Sequence, residues 1–164
     1  MKIVVCVRQG LDGNISPFDA CAYEAALSIK GAEVTLLSMG PESAKDFMHS
    51  LTRLGAKKAI LLSDKAFAGA DTIATAYTLS LAIKAINPEL VFCGRQTLVG
   101  DTAQTGAMLS VYANTALITN VMSIEKISDK AITCLTRDLC NITAELPALI
   151  TVERINTLRL PSIF

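Results

Sequence analysis

The stretch that decides the fold is Leu90-Val91-Phe92-Cys93-Gly94-Arg95-Gln96-Thr97-Leu98-Val99-Gly100-Asp101-Thr102-Ala103-Gln104-Thr105-Gly106-Ala107-Met108. Its apolar run stops at Gly94, a polar loop follows, and a helical run of small residues begins near Asp101. The pattern predicts a strand, a loop and a helix N-terminus. Ligands of open α/β sheets bind at the carboxyl ends of strands, and the free N–H groups of a helix N-terminus attract anions. Gly100 allows close backbone approach, while Thr102, Gln104 and Thr105 add side-chain donors for a phosphate. An ordinary βα turn capped by Asp101 accounts for the same residues, because glycine-containing turns are common.

Working outward, the first 114 residues alternate strand and helix through four βα units. Lys2 to Val7 reads as a buried strand, and Val34 to Ser38, Lys58 to Leu62 and the run from Leu90 as the strands that follow. The first helix has Ser16 as N-cap, Pro17 at its first position and Asp19 completing a capping box. Phe18, Ala22, Ala25 and Ile29 give it a buried face, and Gly31 ends it. The next helix is acidic at Glu42, carries Phe47, Leu51 and Leu54 on one face, and stops at Gly55. A longer helix starts at a cap on Asp71 and breaks at Asn87-Pro88. Such alternation predicts a parallel sheet with helices on both faces, a Rossmann-like α/β three-layer sandwich.

From Thr115 the pattern changes. Val121 to Ile127, Ala131 to Thr136, Asn141 to Thr143 and Ala148 to Val152 read as strands, some forming an edge hairpin and the last a buried core strand. The whole is expected to be one nucleotide-binding domain over 1–164. Its parts are βα repeats over 1–114, edge strands and the last core strand over 115–154, and a tail over 155–164.

Composition narrows the function classes. Of 164 residues 18% are charged, with 15 acidic against 15 basic, so no nucleic-acid footprint is present. A low charge fraction with 51% hydrophobic residues favours a subunit with a partner. No apolar run approaches a membrane span and the chain opens directly into a strand, so a cytoplasmic location is expected. The five cysteines are scattered without a CxxC pair and read as small hydrophobes in a reducing compartment, not as a zinc site. His49, the single histidine, falls on a surface face, so no Ser-His-Asp or Cys-His arrangement is expected and no catalytic residue is assigned.

Five ordered motifs carry a resemblance. Gly94-Arg95-Gln96-Thr97-Leu98-Val99-Gly100-Asp101-Thr102-Ala103-Gln104-Thr105-Gly106 resembles the GKQ-x-x-x-GD-x-x-Q-x-G nucleotide loop of the electron transfer flavoprotein β subunit. Ser16-Pro17-Phe18-Asp19 with Tyr23-Glu24-Ala25-Ala26 is similar to that family's NPF-containing helix start. Ser38-Met39-Gly40-Pro41 matches its S-x-GP turn, and Leu54-Gly55-Ala56 its MGAD segment. Leu146-Pro147-Ala148-Leu149-Ile150-Thr151-Val152 with Arg154-Ile155-Asn156 resembles its LPAVVTV…RLN ending.

The resemblance implies a five-stranded parallel core of the adenine nucleotide α-hydrolase-like kind, with an extra edge hairpin. It also implies an AMP or a second FAD in this subunit, with the electron-delivering FAD in a partner α subunit. It places Asp101, Thr102, Ala103, Gln104 and Thr105 on phosphate, and has Gly94, Gln96, Val99 and Gly100 line the loop. Cys6, Ser16, Pro17, Phe18, Asp19 and Met39 would surround the adenine. A phosphate at a helix N-terminus is favoured by about 0.3–1 kcal/mol. Asp101 opposes that charge and suits capping or a sugar hydroxyl better. Ser16 departs from the usual Asn, Met39 from a usual small residue, and Arg137-Asp138 from a Gly-Gly turn.

Family β subunits are expected to continue past the point matched by Leu158 to Phe164, through a dehydrogenase-docking loop and an arm around the α subunit. This chain is therefore expected to be a short form. The implied function is an electron-carrier subunit and not an enzyme, passing electrons from flavin dehydrogenases to an acceptor. A universal-stress-type ATP- or AMP-binding homodimer is the alternative. Its G-x2-G-x9-G spacing is not matched by Gly94, Gly100 and Gly106, and an adenylating Ser-Gly-Gly-x-Asp-Ser loop does not follow the first strand.

Overall fold

A computed structural model describes residues 1–96 and 103–161. Eight strands form one sheet in the order β3-β2-β1-β4-β8-β5-β6-β7. The parallel part contains β1 (Lys2–Cys6), β2 (Glu33–Met39), β3 (Lys58–Leu62), β4 (Leu90–Gly94) and β8 (Ala148–Val152). These are short apolar runs because helices cover both of their faces. β8 is buried at every position, and β1 at every position after Lys2.

Strand alternation sends neighbouring residues to opposite layers. Ile3, Val5, Leu36, Phe92 and Ile150 pack under α1 (Pro17–Leu27) and α2 (Lys45–Thr52). Val4, Cys6, Leu37, Val91, Cys93 and Leu149 pack under α3 (Thr72–Ile86) and α4 (Thr105–Ala113). The expected three layers are present. The Tyr77 and Tyr112 rings meet edge to face at 5.7 Å and join α3 to α4.

The sheet differs from expectation at β5 (Ala116–Ile127), which begins five residues before the expected Val121. Its first part pairs parallel with β8, making a sixth parallel strand, and its second part pairs antiparallel with β6 (Ala131–Thr136). The change of partner falls at Asn120, which has φ +56°, donates its N–H to Thr151 Oγ1 at 3.0 Å and accepts from Arg137 N at 2.8 Å. Asn tolerates this left-handed conformation better than most residues. β7 (Asn141–Glu145) closes the edge and runs two residues longer than expected. The Leu146–Pro147 peptide before β8 is cis.

Several helix boundaries also shift. α1 ends at Leu27, before Gly31; of the expected Phe18, Ala22, Ala25 and Ile29, Ala22 is buried and Ala25 and Ile29 pack against the core, while Asp19, Cys21, Tyr23 and Ala26 complete the buried face. Tyr23 sets that orientation. Its hydroxyl donates to the Leu51 carbonyl at 2.9 Å and accepts from Ala56 N–H at 3.0 Å, locking α1 to the end of α2. Glu42 belongs to a separate 3₁₀ turn, Glu42–Ala44, and Met48 joins Phe47 and Leu51 in the buried face of α2. The cap on Asp71 is as expected: its Oδ1 accepts from Ala74 N–H at 2.8 Å. α4 begins at Thr105 with Gln104 in the N-cap position, later than the expected start near Asp101, a residue outside those described.

Candidate nucleotide-binding cleft

β1 and β4 are neighbours, yet the chain leaves β1 for α1 on one face of the sheet and β4 for α4 on the other. The connections therefore diverge between the two strand ends and open a crevice there. A cleft of about 1250 Å³ occupies this place and extends across the ends of β2 and β3. That exceeds the roughly 300–1,000 Å³ of common small-ligand sites.

Its apolar lining comes from Leu37, Met39, Phe67, Leu79 and Leu109, its hydroxyls from Ser38, Ser63, Thr72, Thr75 and Thr105, and its cations from Arg8, Lys65 and Arg95. Flat apolar surface beside hydroxyl donors and cations suits an aromatic base with a sugar and phosphate. The residues present thus fit a nucleotide or flavin nucleotide.

Of the residues expected at the site, Cys6, Asp19, Met39, Gly94, Gln96, Ala103 and Thr105 line this one cleft. Ser16, Pro17 and Phe18 sit at the start of α1 outside the lining, as does Gln104 at the start of α4. Val99, Gly100, Asp101 and Thr102 lie outside the described residues. Ala103 has φ +52°, an uncommon backbone for alanine at the entry to α4.

The capping box expected at α1 does not form. Ser16 N–H is already bonded to the Arg8 carbonyl at 3.0 Å, which leaves no donor there for Asp19. Among the described residues the buried Ser16 Oγ finds no hydrogen-bond partner. Asp19 turns instead to the strand ends: Oδ2 accepts from Arg8 N–H at 2.9 Å and Oδ1 from Gly94 N–H at 3.1 Å. Burial pushes its carboxyl up to about 7, against the two amide bonds and the Arg8 charge, which favour ionisation.

Gly94 is required by this contact. A Cβ there would stand 2.5 Å from Asp19 Oδ1 and 2.7 Å from the Phe18 carbonyl carbon. Cys6 and Cys93 lie side by side in the β1–β4 register. The hydrogen bond of its thiol with the neighbouring Cys6, then burial, then the charges of Cys6 and Asp19 raise the Cys93 thiol well above its usual range. All five cysteines are free thiols, as expected.

Arg95 opens the loop toward α4. Its guanidinium bonds Glu153 Oε1 at 3.2 Å and the Gln96 side-chain oxygen, and lies 5.9 Å from the centre of the Phe18 ring. The nearly buried Glu153 also draws Arg137, at 3.8 Å. This network fixes Gln96 at the mouth of the cleft. Sequence reading missed it, and it missed the whole contribution of the loop from Ser63 to Thr72. The only available signal was that this loop also follows a parallel strand, which is true of every βα connection.

No group of three or more potential metal-ligating side chains occurs among the described residues. No helix among them is long and apolar enough to cross a membrane.

A sheet of this order, with its cleft at the β1–β4 divergence, defines an open α/β protein with a crevice at the carboxyl ends of its strands. The electron transfer flavoprotein domain matches residues 3–159, and the chain belongs to that family. It is 40% identical over 163 residues to the electron transfer flavoprotein subunit beta of Thermoanaerobacterium thermosaccharolyticum, covering 96% of this chain and 63% of that protein. It is 42% identical over 129 residues to Protein FixA of Azorhizobium caulinodans, covering 74% and 46%. The caffeyl-CoA reductase-Etf complex subunit CarD of Acetobacterium woodii is 42% identical over 134 residues, covering 79% and 51%. The chain thus spans about half to two thirds of the length of these relatives.

Proposed function

We propose that this chain is the nucleotide-holding part of an electron-carrier subunit of the electron transfer flavoprotein β type. The observation that carries the reading is the cleft at the divergence of β1 and β4, into which Gly94, Gln96, Ala103 and Thr105, residues of the loop motif, converge. In this reading the start of α4 and the loop before it, including Val99, Gly100, Asp101 and Thr102, hold phosphate. Cys6, Met39 and the start of α1 (Ser16, Pro17, Phe18, Asp19) enclose the adenine side. Gln104 supplies a further donor.

The subunit pairs with a flavin-bearing α subunit and takes electrons from a flavin dehydrogenase. It acts as a carrier and contributes no catalytic residue of its own. Between AMP and FAD, the continuation of the cleft to Phe67, Thr72 and Thr75 favours FAD, since AMP would leave that half unused. The flavin, when bound, supplies the redox chemistry; the chain supplies binding, orientation and exclusion of water. The family match favours this reading over a universal-stress-type homodimer.

The test is co-expression with an α-type subunit, followed by identification of the nucleotides released on denaturation. Two FAD per heterodimer is the expected result, and one FAD with one AMP would correct the ligand while keeping the site. A homodimer carrying ATP would overturn the reading. Gln104→Ala and Thr105→Ala are each expected to weaken retention by about 0.5–1.5 kcal/mol.

A further inference from the structure

We propose that Asp19 is a positioning residue whose ionised carboxylate holds the ends of β1 and β4 in the form that binds nucleotide, and that its protonation loosens the site. This rests on the nucleotide reading above. Asp19 belongs to neither strand, but its two oxygens take the backbone N–H of Arg8 and of Gly94, at 2.9 and 3.1 Å. Those amides are where the chain departs from two adjacent strands in opposite directions, at the floor of the cleft. The Arg8 peptide is held from its other side as well, its carbonyl accepting from Ser16 N–H. The Gly94 peptide is the first of the segment that runs through Arg95 and Gln96 toward α4. A single side chain on α1 therefore sets the spacing of both walls.

The arrangement needs a carboxylate and not merely a polar group. An ionised carboxylate only accepts hydrogen bonds, whereas a protonated one carries a hydroxyl donor on one oxygen. With both N–H groups donating to a carboxyl on a residue that is only 4% exposed, a proton on either oxygen sets donor against donor and frees one strand end. Asparagine has the same shape and the same defect, so Asp19→Asn imitates the protonated form.

Burial brings the carboxyl to about 7, so the change falls near neutral pH. The charged and titratable groups around it are Arg8 from the end of β1, Cys6 and Cys93 from the two strands, and Arg95 from the end of β4, which is paired with Glu153. Glu42, Asp64, Lys65 and Asp71 line the same cleft beyond β2 and β3. Arg8 is the charge that favours the ionised form of Asp19.

The experiment follows the backbone amide resonances of Arg8 and Gly94 in the full chain from pH 5 to 9, without nucleotide. It then measures AMP and FAD affinity over the same range for the native chain and Asp19→Asn. Both amides are expected to move with one shared midpoint, absent in Asp19→Asn. Native affinity is expected to fall about tenfold per pH unit below that midpoint, as the competent fraction falls. Asp19→Asn should bind at least about tenfold more weakly at pH 8, with a flat pH profile. Independent titration of the two amides, native-like affinity of Asp19→Asn at pH 8, or tighter binding on acidification would overturn the proposal. Failure of the native chain to bind either nucleotide at any pH would overturn the nucleotide reading, and with it the binding half of this proposal; the amide titration decides the clamp by itself. If Asp19→Asn does not fold, the native pH profile still decides.

Discussion

Two regions of the same sheet differ in kind. The ends of β1, β4 and β8 are buried on both faces, whereas β6 alternates half-buried with buried positions and β7 is almost wholly exposed. In the first region every strand end is fixed by something distant in sequence: Asp19 on Arg8 and Gly94, the Val152 carbonyl on Arg95, Glu153 on Arg95. In the second, most contacts are local, such as Thr133 against Thr143 and the turn from Thr136 to Cys140, although Arg137 in that turn reaches Asn120 and Glu153. Parallel strands need long crossovers, so their ends gather loops from far apart, while a hairpin closes on itself. Binding residues accumulate where chain segments converge, and the convergent region should therefore tolerate change far less than the hairpin.

The largest test of that contrast is Gly94→Val. Its added atoms would overlap the backbone of Phe18 and Asp19, and the expected loss is about 3 kcal/mol or more in denaturant unfolding. A loss under 1 kcal/mol would mean that α1 can lift off the strand ends, and the rigid side of the comparison would fail.

Next comes Tyr23→Phe. The missing hydroxyl leaves the Leu51 carbonyl and the Ala56 N–H without a shared partner, at an expected cost of about 1–3 kcal/mol, read by the same unfolding. A smaller effect follows at Asp71→Ala, where loss of the cap on Ala74 should cost about 1 kcal/mol and increase amide exchange in the first turn of α3.

The smallest effect, and the one of opposite sign, belongs to the hairpin. Leu139 is 81% exposed with φ +58°, a strained conformation for leucine. Leu139→Gly should stabilise by up to about 1 kcal/mol, measured as a raised melting temperature. Destabilisation there would show that the hairpin turn, too, depends on contacts beyond itself.

Acidity provides a further comparison between the regions. The Asp19 carboxyl is raised from 3.8 to about 7 in the folded chain, so the folded state holds its proton over a range where the unfolded state has lost it. The sign follows: this group favours folding at low pH, and its contribution fades as pH rises from about 4 through about 7. Glu24 behaves in the opposite way. The hydrogen bonds from Arg159 hold its carboxyl below the usual carboxylate range, so its contribution is present above that range and is lost as pH falls through the lowered value. In Asp19→Asn the first of these slopes should vanish from the stability–pH curve while the second remains.

What could be read from the sequence is what local chemistry dictates. Apolar runs fixed β3 at Lys58–Leu62 and β8 at Ala148–Val152, and Asp71 and Asn87 bounded α3, because strand periodicity and helix capping act over a few residues. The motif from Gly94 to Gly106 pointed to the place where the cleft lies, and Gly94, Gln96, Ala103 and Thr105 line it. The capping box at α1 was misread because Ser16 N–H is taken by the Arg8 carbonyl, a partner eight residues away across a loop. The start of β5 was missed because Thr119-Asn120 looks like an interruption, whereas Thr151 Oγ1 supplies a partner that lets the strand pass through a left-handed residue.

The sequence by itself therefore determined the order of the main elements and the burial of the central strands β1, β4 and β8. Only the tertiary structure decided which side chain ties β1 to β4, that Arg95 is held by Glu153, and that the loop after β3 completes the cleft. The physical reason is that hydrogen bonds between distant segments carry no periodicity: they exist only once the sheet has brought its strand ends together.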